Sequence, residues 1–309
     1  MGGLSIASLV AAMPASVAQG LIWGLMAIGV FITFKILNFA DLTVDGSIAL
    51  GGAVAVMAVT NGCPVPVAML LATLSGVLSG LVTGILNTLL GIPDILAGIL
   101  SQIALYSINM NIMGKANTAI SVAKYNLIVT LRDITHTIIV GLIFIVAIIA
   151  LLYWFFGTER GATVRVTGCN ENMARAQGIN TNTAKVVGLS ISNGLVGLSG
   201  SLLAQYQGNA DVNMGRGAIV IGLAAVIIGE VIGEALLRKY LNFAGRMAFA
   251  VIGAIIYYMV ITFVLWLGLP SWNMKLISAI VVAVFLAVPH LKGKYKSSFA
   301  GASKKGGAM

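Results

Sequence analysis

Stretches of about 20 residues with almost no charge recur along this chain, too many for any soluble core to absorb. Each matches the length that a helix needs to cross a bilayer. The apolar runs lack the ten-residue alternation of a membrane β-barrel, so a helical bundle is the remaining architecture, with every backbone group satisfied within its own segment. Composition agrees: 59% of residues are hydrophobic, only 9% are charged, and the mean hydropathy is +1.02. The expected fold is all-α, a polytopic helical membrane protein with about 8–10 transmembrane helices. The candidate spans are 14–34, 40–60, 64–90, 93–113, 136–157, 185–207, 215–233, 246–267 and 273–290. Residues 1–290 form one transmembrane domain, and 291–309 a basic tail.

The largest interruption is polar, GTERGATVRVTGCNENMARAQGINTNTAK, from Gly157 to Lys185. A loop this polar cannot lie in hydrocarbon. Its middle, CNENMARAQG, reads as a short helix: Glu171 and Arg175 stand i,i+4 with the acid first, and Gly178 is a natural helix stop. Met173, Ala174, Ala176 and Ile179 are available to press into a partner; a solvated connecting loop is the plainer alternative. With this loop inside, thirteen basic residues fall on inner segments and five on outer ones (Lys115, Lys124, Arg132, Arg216 and Lys275), giving N-out, C-in. Topology and anionic lipid account for the net charge of +9 without a nucleic-acid partner.

Polar residues within the spans are the candidate path for a solute: Asn38, Asp41, Asp45, Gln102, Asn109, Asn193 and Gln205. Asp41 and Asp45 are expected one turn apart on one face at the inner end of the second span, with Asp41 as a helix cap as the alternative. The amides could equally bond helix to helix. Neutral groups dominate this set, which suits a small neutral or zwitterionic solute, with amino acids ahead of sugars and nucleosides. Glu230 and Glu234 fall near Arg238 and Lys239, as in a solvated ion-pair cluster. Glycines at 76, 80 and 84 and at 194, 197 and 200 let helix backbones approach closely.

A short internal echo links LNFADLTVDGSIALGG around Asp41 to QGNADVNMGRGAIVIGL around Asp211, the first entered from inside and the second from outside. That is the pattern of an inverted repeat. Catalytic and metal sites are not expected: His136 and His290 have no acid partners in motif spacing, and Cys63 and Cys169 make no ligand pattern. An ion-coupled secondary transporter would need a carboxylate deep in a helix, whereas every acid here is expected near a helix end.

Three segments, AQGLIWGLMAIGVFITFKILNFADLTVDGSIALGG, GATVRVTGCNENMARAQGIN and VGLSGSLLAQYQGNADVNMGRGAIVIGLAAVIIGEVI, resemble the permeases of ATP-binding-cassette importers of the branched-chain amino acid and ribose class. The resemblance runs in order over most of the chain. It implies that the 158–184 loop holds a cytoplasmic coupling helix docking on an ATPase subunit, through Asn170, Glu171, Met173, Ala174, Arg175, Ala176, Gly178, Ile179 and Asn180. It also implies a cytoplasmic ATP-binding subunit, an extracytoplasmic solute-binding protein, a second permease copy as in a homodimer, and a place in the bacterial cytoplasmic (inner) membrane. No cofactor is expected in this chain; ATP belongs to the partner, since no G-x-x-x-x-G-K-S/T loop occurs here.

Overall fold

The computed structural model describes residues 6–122, 124–237 and 242–267, with scattered positions from 273 to 287. Its elements are α1 (Ile6–Phe31), continued by a π-helical turn Ile32–Ile36, α2 (Val44–Thr60), α3 (Val65–Thr88), α4 (Asp94–Met113), β1 (Asn117–Ala119) and α5 (Ile134–Gly157). Then follow α6 (Glu159–Cys169), α7 (Glu171–Ala176), α8 (Thr181–Gln207), β2 (Asn209–Asp211), α9 (Ala218–Leu237) and α10 (Phe243–Trp266). Among the described residues seven helices are long and apolar enough to span a membrane, and α2 is a shorter apolar helix. Together they account for the first eight expected spans; the ninth, 273–290, falls largely outside the described residues, as does the 291–309 tail.

Small residues determine how these helices meet. A Cβ on Gly76, Gly80 or Gly84 would collide with the α8 backbone at Asn193, Leu189 and Val186, so α3 and α8 run antiparallel at backbone contact. Gly20 of α1 likewise meets the Ile255 backbone of α10, and Gly24 the Val251 side chain. α8 also receives α2, where Gly51 faces Gly197 and Gly200 faces Ile48. Such contacts replace the hydrophobic drive that lipid removes between helices.

The echo around Asp41 and Asp211 corresponds to a structural one. Asp41 Oδ1 accepts from Thr43 N (2.9 Å) and Asp211 Oδ1 from Asn213 N (2.7 Å), the same turn made two residues on. The second oxygen of each accepts from an asparagine Nδ2, Asn193 at 2.7 Å and Asn117 at 3.2 Å. Both turns open an apolar helix, α2 and α9 respectively. α1 and α8, which precede them, run in opposite directions side by side: Ser192 donates to the Gly29 carbonyl and Ser199 to that of Ile22.

The two spans differ from expectation at the start of α2. Asp41 and Asp45 do not share a helix face, because Asp41 precedes the helix in an irregular turn. That turn begins where the π-helical segment closes, with Phe39 N donating to Thr33 O and Asn38 at φ +54°. Asparagine is among the few side chains that tolerate this left-handed conformation. Nor does the turn lie at the bundle's end. Asn193, its partner, follows Thr181 at the start of α8 by 12 positions, about 18 Å of helix at 1.5 Å per residue. α2 therefore starts inside the bundle, which is why it is short.

Candidate functional site

The interior of the bundle between α2, α3, α4 and α8 is a ladder of hydroxyls and amides. Thr43 Oγ1 bonds Thr83 (2.8 Å), and Thr83 donates to Ser101 (2.7 Å). Ser47 Oγ lies 2.7 Å from Ser79 Oγ and donates to Asn193 Oδ1 at 2.7 Å, while Asn193 Nδ2 reaches Asp41. Of the path residues expected from sequence, Asp41 and Asn193 thus belong to this closed network, and both are buried. Gln205 is buried near the opposite end, its Oε1 accepting from Ile128 N at 3.2 Å, and Asn38 is exposed in the left-handed turn.

The other three, Asp45, Gln102 and Asn109, come together on one cavity of about 350 Å³, within the range of small-molecule sites. Asp45 lies in the first turn of α2 but caps a different helix. Its Oδ2 accepts from Gly217 N and its Oδ1 from Ile219 N, both at 2.9 Å, so it satisfies two of the orphan amides that open α9. Asn109 is fully buried, and its Nδ2 faces the Gly46 carbonyl at 3.5 Å. Its Oδ1 has no hydrogen-bond partner, an omission that costs about 1–3 kcal/mol for a buried group. Tyr106, Ser107 and Arg216 complete the polar part of this wall. Tyr106 and Ser107 were absent from the sequence candidates, although Gln102, Tyr106 and Asn109 follow helical i, i+4, i+7 spacing.

The polar interruption folds into two helices, not one. α6 was not foreseen; Thr158 caps it, accepting from Gly161 N. α6 is pressed onto the π-helical end of α1, where a Cβ on Gly168 would overlap the Ile36 carbonyl. α7 is the expected short helix, capped by Asn170, whose side chain accepts from Met173 N at 3.0 Å. It ends on Gly178 at φ +78°, where Ile179 N bonds Ala174 O and Gly178 N bonds Arg175 O, a complete Schellman stop. Asn180 then caps α8 through Thr183 N. Ala174 faces inward and is buried, whereas Met173 (56% exposed), Arg175 and Ala176 are outward.

Glu171 ties α7 to α8. Its carboxylate pairs with Arg175 at 2.6 Å and with Lys185 at 2.9 Å. Partial burial raises its pKa, but Lys185, Arg175 and the Thr181 hydroxyl outweigh that and leave it below the usual glutamate range. A depressed folded pKa means that the contribution is full above the unfolded value and is lost as pH falls through the folded one. The thermal-stability difference between wild type and Glu171→Gln is therefore expected to be greatest at neutral pH and to vanish at strongly acidic pH. A difference independent of pH would show that these ion pairs contribute nothing.

At the same end of the molecule Glu230 pairs with Lys35 (2.5 Å) and Arg246 (3.5 Å). An ion-pair cluster thus forms around Glu230; Arg238 and Lys239, which the sequence placed near it, lie outside the described residues. His136 is exposed near the start of α5, and no group of three His, Cys, Asp or Glu that could hold a metal occurs among the described residues.

A family model described as branched-chain amino acid transport system / permease component matches residues 13–286. The tyrosine transport system permease protein of Clostridioides difficile (strain R20291) is 41% identical over 280 residues, 91% of this chain and 92% of that protein. An uncharacterized protein of Rickettsia prowazekii (strain Madrid E) is 32% identical over 271 residues, covering 87% and 94%. The ribose import permease protein of Escherichia coli (strain K12) is 27% identical over 152 residues, 48% and 45% of the two chains. With its spanning helices, paired turns at Asp41 and Asp211 and a match across almost its full length, this chain belongs to the branched-chain amino acid transport system permease family.

Proposed function

We propose that this protein is the membrane-spanning subunit of an importer that carries an amino acid, with an aromatic one such as tyrosine leading, across the bacterial cytoplasmic membrane. The observation that carries the reading is the near full-length similarity to a tyrosine transport system permease, against a match of only half a chain to a ribose permease. ATP is hydrolysed by a separate cytoplasmic subunit, a solute-binding protein delivers from outside, and two copies of the permease enclose the path.

α7 is the element suited to receive the ATPase. It is held rigidly by caps at both ends and by Glu171 to α8, and it presents Met173, Arg175 and Ala176 outward. Through α8 it reaches Asn193 and the turn at Asp41, so a push on α7 arrives at the start of α2. Only contacts that differ between inward and outward states can drive transport. Asp41, buried just before α2, and Asp45, in its first turn, both stay at a helix end, and family membership adds its weight against ion-coupled transport.

Affinity purification from native membranes in mild detergent, with mass spectrometry, tests this. A cytoplasmic ATPase is expected to co-purify with wild type and to be lost with Met173→Glu, which touches no internal bond of α7, and with Arg175→Glu. Both variants should still elute as folded permease. A permease that purifies alone and takes up solute in ATP-free vesicles under an ion gradient would overturn the reading.

A further inference from the structure

The cavity between α2, α4 and the turn leading into α9 holds charges and hydrogen-bonding groups that the fold itself does not use up. Asn109 has no exposed surface, yet its Oδ1 is unpartnered. The amide cannot be turned round to hide this, because its nitrogen faces the Gly46 carbonyl, where an oxygen would be repelled. Nothing in hydrocarbon supplies a donor. Asp45, on the same wall, gives each carboxylate oxygen to one amide of α9 and keeps further lone pairs free. Arg216 also lines the cavity, and no ion pair joins it to Asp45 among the described residues. The Asp45 carboxylate and the Arg216 guanidinium therefore line one space separately, with the Tyr106 ring beside them and the Asn109 amide closed off in the same wall.

We propose that this cavity is a transit site for a zwitterionic α-amino acid with an aromatic or large apolar side chain. The ammonium group donates to the Asp45 carboxylate and, when α2 and α4 part enough to uncover it, to Asn109 Oδ1. The substrate carboxylate pairs with Arg216, whose planar fork suits it, and the side chain lies against Tyr106. A sugar would leave the separated cation and anion without counter-charges. The site deepens the amino acid permease reading and rests on it.

The test uses the permease with its co-purified ATPase and solute-binding protein in proteoliposomes, measuring uptake of radiolabelled L-tyrosine and ATP hydrolysis on the same samples. Asn109→Leu and Arg216→Gln are expected to lower tyrosine imported per ATP hydrolysed by about tenfold or more, the scale of one lost charge-assisted hydrogen bond. Arg216→Lys keeps the cation and should retain most of the wild-type ratio. An unchanged ratio in both damaging variants overturns the site, as does a parallel fall of uptake and hydrolysis, which would mark these residues as structural. Wild-type complex that imports radiolabelled ribose and neither tyrosine nor leucine overturns the zwitterion assignment while leaving the importer standing. Wild-type permease with no ATPase to couple to fails at the earlier reading.

Discussion

Gly51→Val is expected to abolish recovery of folded permease. A Cβ at this position of α2 would fall on the carbonyl oxygen, carbonyl carbon and Cα of Gly197 in α8, all backbone atoms that have no rotamer to change. Nor can α8 retreat, because Gly197 on its other side lies against the Ala72 carbonyl and Gly76 of α3. Three helices are stacked there without side chains between them. Inserting a branched side chain must part them, and that also pulls Ser47 from Asn193. Overpacking alone costs about 1–3 kcal/mol where side chains can adjust; here they cannot, and a total stability of about 5–15 kcal/mol leaves little margin. The measurement is yield of monodisperse protein in mild detergent together with the midpoint of thermal unfolding. Gly62→Ala is the companion: at φ +91° with nothing within 4 Å, it should cost only the roughly 1–2 kcal/mol of left-handed backbone. If Gly51→Val unfolds no earlier than Gly62→Ala, the close stacking is not what holds α2 in place.

Gly76 and Gly197 in this contact belong to spacings that were readable, as were the helices that carry them, whereas Gly51 follows no such spacing. Apolar length alone marks a span, since lipid imposes the same demand on every crossing. The Gly178 stop of α7 was readable too, because it acts on residues within three or four positions; Asn170 and Asn180, caps equally local, entered only as docking residues implied by the resemblance. What was hidden depended on distant partners. Asp41 and Asp45 have the i,i+4 spacing of a helix face, but Asp41 is held out of the helix by Thr43 and by Asn193, 152 positions away. Asp45 caps a helix whose first turn is 172 positions on. No local pattern contains either bond. α6 was missed for a different reason: ERGATVRVTGC has no clear apolar stripe, its β-branched Thr163, Val164, Val166 and Thr167 and its two glycines offset Glu159, Ala162 and the arginines, and only Thr158 followed by Glu159 signals its start. The cavity lay between these cases, with Gln102, Tyr106 and Asn109 aligned along α4 and Arg216 visible only as a contributor to charge topology.

The paired turns permit a sharper test of burial than either gives alone. Asp41 and Asp211 make the same bond two residues on and each takes an asparagine amide, but Asp41 is 2% exposed inside the bundle whereas the Asn117–Asp211 bond is exposed. Removing the asparagine should therefore have unequal effects. Asn193→Leu leaves a buried carboxyl oxygen and the Ser47 hydroxyl without their partner, and breaking one side of a buried polar pair costs about 3–5 kcal/mol when a charge is left behind. Asn117→Leu leaves an exposed carboxylate that water takes over, so it should cost under about 1 kcal/mol. Thermal unfolding of the two variants in one detergent gives the comparison. Adding Asp41→Leu to Asn193→Leu should restore part of the loss, because two apolar groups replace a broken pair. The double variant should nevertheless transport poorly, since the turn that starts α2 inside the bundle has lost its anchor to α8. Equal destabilisation by Asn193→Leu and Asn117→Leu would mean that the inner turn is as well hydrated as the outer one. In that case water, not the protein, holds α2 at its depth.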